Sequence, residues 1–340
     1  MRHFILNFSI LGVIALGIIS CTKENIETPT ENFYTVQIGI GGEINVEHIP
    51  MTKSTPNGIL GIQVYSKPIN DENASWTPYS YYLYDLSSLN ISLSDGYKYK
   101  FEATLVVDGL NKLGNSAFNG QIAPFVLMLT AGAGIGFIDL PVRNFKYDTQ
   151  QFLKLLSSST AQMQGPLAQG GGVYNRPNID RYYGITEDFV PSAENTTVNI
   201  DMKRVSFGAK FVITGTLTTS GTIGIEIKDA PKKTLTLSST TENNKISDIF
   251  TFDSITDAYT TDTYTETIPV KIVWTRTDGR EYTVGTYNIV YQRKTITIVT
   301  VQIDNASSEN GFGVTINDSE SADMPEPGTN DVTIIDGEIQ

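Results

Sequence analysis

The sequence has one cysteine, Cys21, and two histidines, His3 and His48. A single cysteine leaves no intrachain disulfide and no cysteine-built zinc site. His3 falls in an apolar N-terminal leader, so one histidine remains for the folded part. That nearly excludes multi-histidine metal sites, Ser-His-Asp triads and Cys-His pairs. Positive charge is also scarce: 24 Lys and Arg stand against 37 Asp and Glu, for a formal charge of -13. Such a surface repels phosphate backbones, so no nucleic-acid partner is expected. The carboxylates are scattered, and none is paired with another as a glycosidase needs. The Gly-rich stretch 169–172 lacks the lysine of a phosphate loop and reads as an ordinary loop. Acidic residues at 318–323 lack the spacing and glycine of a calcium loop. The expectation is no enzyme, no catalytic site, no bound metal and no cofactor.

What is present begins at the N-terminus. Arg2 and His3 open a short basic start, and Phe4 to Ile19 is apolar apart from Asn7 and Ser9. This reads as a secretory leader, too short for a stable transmembrane span of about 20 residues. It ends Leu16-Gly17-Ile18-Ile19-Ser20-Cys21. An aliphatic residue three before the cysteine and a small one just before it resemble the lipobox of bacterial lipoproteins. That resemblance implies cleavage before Cys21 and acylation of its thiol and new amine. Two or more acyl chains, such as palmitate, give stable anchoring, each buried methylene adding roughly 0.8 kcal/mol. The expected division is 1–20 lipoprotein signal peptide, 21–32 tether, 33–194 N-terminal β-domain, 195–316 C-terminal β-domain and 317–340 acidic flexible tail.

Beyond the tether the apolar pattern has period two. Tyr97, Tyr99, Phe101, Ala103, Leu105 and Val107 alternate with Lys98, Lys100, Glu102 and Thr104. This predicts a strand with one buried and one wet face. Further strands are predicted at 36–40, 44–46, 61–65, 79–84, 90–93, 198–202, 206–215, 223–227, 268–275, 281–291, 295–303 and 311–316. Asp95-Gly96, Asp108-Gly109 and Asp278-Gly279 supply turns of the hairpin type. One helix is predicted over 148–157, with Asp148 as its cap and Phe152, Leu155 and Leu156 at helical spacing. In the aromatic stretch Trp76, Tyr79, Tyr81, Tyr82 and Tyr84, core packing would bury Tyr82 and Tyr84, with Tyr79 and Tyr81 opposite. Exposed, the same rings could stack on sugars. The chain is therefore all-β.

Five stretches carry a resemblance: Gly61-Ile62-Gln63-Val64-Tyr65-Ser66-Lys67-Pro68, Gly96-Tyr97-Lys98-Tyr99-Lys100-Phe101, Tyr174-Asn175-Arg176-Pro177, Asp180-Arg181-Tyr182-Tyr183-Gly184, and Asn199-Ile200-Asp201-Met202-Lys203-Arg204-Val205. In pattern and order they resemble the fimbrillin-like lipoproteins of Bacteroidales, the subunit superfamily of type V pili. The resemblance implies two tandem transthyretin-like β-sandwich domains, an outer-membrane lipid anchor and surface exposure. It also implies assembly with other subunits, or with copies of itself, by strand exchange. In that mechanism a protease removes a first strand and the groove accepts a donor, a form of β-augmentation.

Two segments fit that scheme. Lys53 lies in a polar stretch just after the first candidate strands, as a protease site or as an ordinary loop lysine. The family more often shows arginine at the cut. Val332, Thr333, Ile334 and Ile335 follow an acidic, Pro-containing leash, as a donor strand or as an edge strand of their own domain. The expected role is a structural or adhesive subunit of a fimbria-like assembly. The alternative is a stand-alone surface lipoprotein that binds a glycan or a host ligand.

Overall fold

The computed structural model describes residues 32–43, 59–84, 89–107, 127–129, 136–137, 153–155, 163–164, 173–215, 221–237, 244–304 and 313–324. Cys21, Lys53, Val332, Thr333, Ile334 and Ile335 lie outside them, as do the expected strand 44–46 and the Asp108-Gly109 turn. The described elements are almost entirely strands.

The first layer system is one seven-stranded sheet. Its strands are β1 (Phe33–Gly42), β2 (Ile59–Pro68), β3 (Thr77–Tyr84), β4 (Leu89–Ser94), β5 (Tyr97–Val106), β11 (Arg181–Phe189) and β12 (Thr197–Arg204). Their order is β3-β2-β5-β11-β12-β1-β4. β12 is the corner. Its residues 197–202 pair in parallel with β1, while Lys203 and Arg204 pair with β11. One core draws on both arms: Val36, Ile38, Ile91, Val198 and Ile200 from one, Leu60, Ile62, Tyr99, Phe101 and Tyr182 from the other. The sheet thus folds at β12 and its arms enclose a single apolar layer. Gly184 marks the close approach, because a Cβ there would lie 2.7 Å from both the Asp201 carbonyl and the Met202 sulfur.

Five short strands lie between β5 and β11 in sequence: β6 (Leu127–Leu129), β7 (Gly136–Phe137), β8 (Leu153–Leu155), β9 (Met163–Gln164) and β10 (Val173–Tyr174). They pair among themselves as β7-β6-β8 and β10-β9.

The second system is a sandwich of two four-stranded sheets. It is built from β13 (Ser206–Gly215), β14 (Gly221–Ile227), β15 (Lys233–Thr236), β16 (Lys245–Thr251), β17 (Thr265–Arg276), β18 (Glu281–Gln292), β19 (Thr295–Asp304) and β20 (Gly313–Asp323). The sheets are β16-β13-β19-β20 and β15-β14-β17-β18. Phe207, Phe211, Phe250, Val299 and Val301 of one meet Ile223, Ile268, Ile272 and Tyr291 of the other in one core. The Phe207 ring lies 4.6 Å from Tyr291 and 4.7 Å from Phe252. A six-residue helix, α1 (Ile255–Thr260), closes one end, with Ile255 and Ala258 buried and Ser254 capping the Asp257 N–H.

Period-two alternation located most of these strands, and several expectations are corrected. The boundary expected at 194/195 falls before a strand that still belongs to the first sheet; the chain changes sheets at Val205, between β12 and β13. Leu153–Leu155, inside the expected helix 148–157, is strand, and the described helix is α1 instead. Six residues are too few for helical periodicity to show. β11 and β16 escaped prediction because neither alternates cleanly: β11 reads buried at four successive positions. The tail expected to be extended from 317 is strand as far as Asp323, paired along β19.

The Asp278-Gly279 turn closes the β17–β18 hairpin, with Gly279 at φ +82° and Trp274 paired with Tyr282. Asp95-Gly96 differs. β4 and β5 pair with β1 and β2, so this turn carries the chain between arms and makes no hairpin. The Tyr99 hydroxyl braces it by accepting from the Ser94 N–H at 2.9 Å and donating to the Ser94 carbonyl at 3.0 Å. Tyr79, expected opposite the core, packs edge-on against Tyr99 at 5.2 Å. A bulge between Val64 and Tyr65 in the β2–β3 pairing shifts the alternation there.

Phe207→Ala is expected to lower unfolding stability by about 3–5 kcal/mol, because it empties the centre of the second core. Chemical denaturation checks this. A loss under 1 kcal/mol would contradict the packing described.

Candidate interaction surfaces

The site with the most specific geometry is the slot that holds β1. β1 lies between β12 and β4, parallel to one and antiparallel to the other. Val36 and Ile38 fill the core behind it. Its C-terminal end is fixed by chemistry. Gly42 takes φ +83°, and a Cβ there would stand 2.5 Å from the Met202 carbonyl oxygen. A side chain is excluded both by conformation and by space. The next residue, Glu43, donates its N–H to the Met202 carbonyl at 2.8 Å. Its carboxylate accepts from both terminal nitrogens of Arg293, at 2.7 and 2.9 Å, and from the Arg204 N–H at 2.9 Å.

Arg293 sits on the turn between β18 and β19, so this fork ties the first strand to the second sandwich. Its side chain is only 4% exposed. It also donates to the Arg204 and Asp262 carbonyls. Burial alone would raise the Glu43 carboxyl. The Arg293 fork, the Arg204 N–H and the charges of Arg293 and Lys294 outweigh it and hold the group below the ordinary carboxylate value of 4.5.

Arg204 continues the chain of charges. It grips Asp180 through two nitrogens, at 2.9 and 2.6 Å, with both side chains buried. The neighbouring Arg181 is wholly buried and donates to the Thr104 hydroxyl. Burial pushes its guanidinium down to about 9, still protonated at neutral pH. Arg176 anchors the preceding segment on Asp229 and Glu266 of the second system. Three of the five stretches singled out in the sequence thus meet where the two layer systems join. Their role is structural: bidentate arginine forks on carboxylates, with backbone groups completing them.

A second surface lies on the outer face of β2, β5 and β11. Lys67 stands 4.6 Å from the Trp76 ring centre, and Lys100 stands 4.6 Å from that of Tyr65. Glu102 and Glu187 balance Lys100, and Asp188 faces Lys98. The rings are covered by ammonium groups that are themselves paired. Trp76 is therefore a packed partner here, not a bare stacking platform.

Among the described residues, no group of three or more His, Cys, Asp or Glu is placed to hold a metal ion. The residues predicted to carry lipid, proteolysis and strand donation lie outside the described part. The Glu43–Arg293 fork was not foreseen. Its two members lie 250 positions apart, and nothing local links them.

No protein-family model matches the sequence, and no curated protein matches it. Solved structures do. A candidate adhesin from Bacteroides thetaiotaomicron overlaps 86% of this chain and 98% of its own, at 12% identity and TM-score 0.37. The fimbrial anchor protein Mfa2 from Porphyromonas gingivalis overlaps 85% and 100%, at 6% identity and TM-score 0.36. The tip fimbrial protein Mfa3 from the same organism overlaps 86% and 100%, at 8% identity and TM-score 0.31. At these scores the likeness is too distant to carry a role across.

Arg293→Ala leaves the Glu43 carboxylate without its fork and is expected to cost roughly 3 kcal/mol. The pH dependence has a defined sign. A carboxyl depressed in the folded state stabilises above its unfolded value, and that contribution is lost as pH falls through the folded value. The melting temperature of the native chain should therefore fall below pH 4.5 more steeply than that of Glu43→Gln. Parallel acid titrations of the two melts would contradict the assignment.

Proposed function

We propose that this chain is a structural or adhesive subunit of a fimbria-like surface assembly, anchored through lipid on Cys21 and joined to its neighbours by strand exchange. The observation that carries the reading is the β1 slot. One peripheral segment supplies a whole strand to a folded sheet. Parallel pairing, core-facing Val36 and Ile38, and one ionic fork hold it there. A cut in the stretch that follows, at Lys53, would free that strand while leaving every strand of the second sandwich in place. The vacated slot would then expose an unpaired backbone edge and an apolar trench, which is the receptor that β-augmentation requires.

The acidic surface fits the same role. A formal charge of -13 keeps free subunits apart by repulsion, so association needs a specific strand and not a sticky face. The lipid supplies membrane attachment that such a charge cannot. The resemblance of the five sequence stretches to fimbrillin-like lipoproteins agrees with this reading.

The test is made on native cell-surface material. Mass spectrometry of the N-terminus is expected to find acylated Cys21 in unprocessed chains and Ser54 in processed ones. SDS-resistant ladders are expected from processed chains, and deletion of 331–340 is expected to abolish them. A lipidated monomer that makes no ladders and shifts on native glycan gels would instead establish the stand-alone binding protein.

A further inference from the structure

Where the segment leading into β11 meets the second sandwich, three polar side chains form a closed triangle. Asn178 comes from that segment, Lys233 from the start of β15 and Asp248 from β16. Lys233 Nζ donates to the Asn178 side-chain oxygen at 2.7 Å. Asn178 Nδ2 donates to Asp248 Oδ1 at 3.0 Å, and Lys233 Nζ stands 2.9 Å from Asp248 Oδ2. Asn178 Nδ2 also donates to the Ile249 carbonyl at 2.8 Å, so the amide is held with its oxygen toward the lysine. The turn that carries Asn178 is itself pinned. The Pro177 carbonyl accepts from the Ile179 and Thr251 N–H groups, at 2.9 and 3.0 Å, and the Thr251 hydroxyl donates to the Ile179 carbonyl. Pro177 and Ile179 are buried, and the side chains of Lys233 and Asp248 are only 28% and 25% exposed.

An ion pair by itself needs no amide. Here one carboxylate oxygen holds the amine and the other holds the amide nitrogen, while the amine rests on the amide oxygen. Nucleophile, acyl group and proton carrier are each within hydrogen-bond reach of the next. We infer that Lys233 and Asn178 are joined by a self-made isopeptide bond, with Asp248 carrying the protons. Asp248 takes a proton from the Lys233 ammonium. The freed amine attacks Asn178 Cγ, which lies one C=O bond, about 1.23 Å, from the oxygen that the amine touches. The Nζ–Cγ bond forms and the Cγ–Nδ2 bond breaks. Nδ2 takes one proton from Asp248 and one from Nζ and leaves as ammonium. Asp248 ends as the carboxylate it began as. Nothing is oxidised or reduced, and no co-reactant enters. The fold supplies the rate by holding the groups together.

The two joined residues are 55 positions apart. The loop they close contains β11, β12, β13 and β14, strands of both layer systems. As with a disulfide, closing such a loop removes freedom from the unfolded chain. A pull along the chain would pass through the bond and bypass these four strands. The inference goes beyond the strand-exchange reading and does not depend on it.

The experiment takes the native full-length protein from cell surfaces, denatures it and digests it with trypsin. The peptide 155–181 is expected joined to 233–245, the pair lighter by one ammonia than the two peptides apart. Lys233→Arg keeps a positive charge facing Asp248 but no amine, and its 155–181 peptide is expected free. Asp248→Ala keeps both reacting groups, and its joined peptide is expected to fall roughly tenfold or more. Recovery of 155–181 only as a free peptide from the native chain, with Asn178 intact or hydrolysed, overturns the inference. Joined peptide in Lys233→Arg, or undiminished in Asp248→Ala, overturns the assigned chemistry. The native digest decides the matter even where a variant fails to fold.

Discussion

The structure depends on a run of charges that crosses from one layer system to the other. Asp180 holds Arg204; the Arg204 backbone N–H holds Glu43; Glu43 holds Arg293, whose nitrogens return to the Arg204 carbonyl. Each member lowers the cost of burying the next. Such groups are costly to desolvate and gain little net stability over an apolar substitute. What they add is specificity. An apolar junction of this size could slide, whereas two bidentate forks accept one geometry. Here that geometry fixes where the first strand ends and how the β18–β19 turn sits against the β11–β12 corner.

That arrangement leaves the two ends of β1 unlike each other. At its start the strand is held by apolar side chains and sheet hydrogen bonds, with Phe33 more than half exposed. At its finish it is held by a glycine that cannot be replaced and a carboxylate that must be present. Recognition is concentrated at one end, and general adhesion is spread over the rest. The free edges are managed differently. β20, on the rim of its sheet, ends in exposed Ser321, Ala322 and Asp323. Charge on an edge strand discourages unplanned pairing. The molecule thus guards a permanent edge while keeping one strand whose retention depends on named contacts.

Much of the architecture was legible in the residues, for a simple reason. Strands that face a core on one side and water on the other leave an alternating record, and β12 and β17 do so; β5 alternates in sequence, yet its expected wet face is covered, with Glu102 and Thr104 buried. β11 left none. Over Arg181–Gly184 its outer face is covered too, with Tyr183 meeting Tyr259 of α1 at 5.4 Å, so both faces are dry there and alternation vanishes. The corner at β12 was invisible for a different reason. A strand that serves two arms looks locally like any other, and the polar turn at 192–195 resembled a domain boundary more than the unbroken β12–β13 passage did. The ionic junction could not be read at all. Asp180, Arg204, Glu43 and Arg293 are ordinary charged residues until the fold brings them together, and sequence spacing holds no trace of that meeting.

The parallel pairing of β1 with β12 also bears on how the chain comes into being. Some 161 positions separate Glu43 from Arg204, and the fork to Arg293 spans 250. Synthesis produces β1 first, its antiparallel partner β4 next and its parallel partner β12 long afterwards. Until then β1 can pair along one edge alone. Loops of this length close slowly, and pairing across them comes late. The slot around the earliest strand is therefore closed only when β12 arrives on its other side.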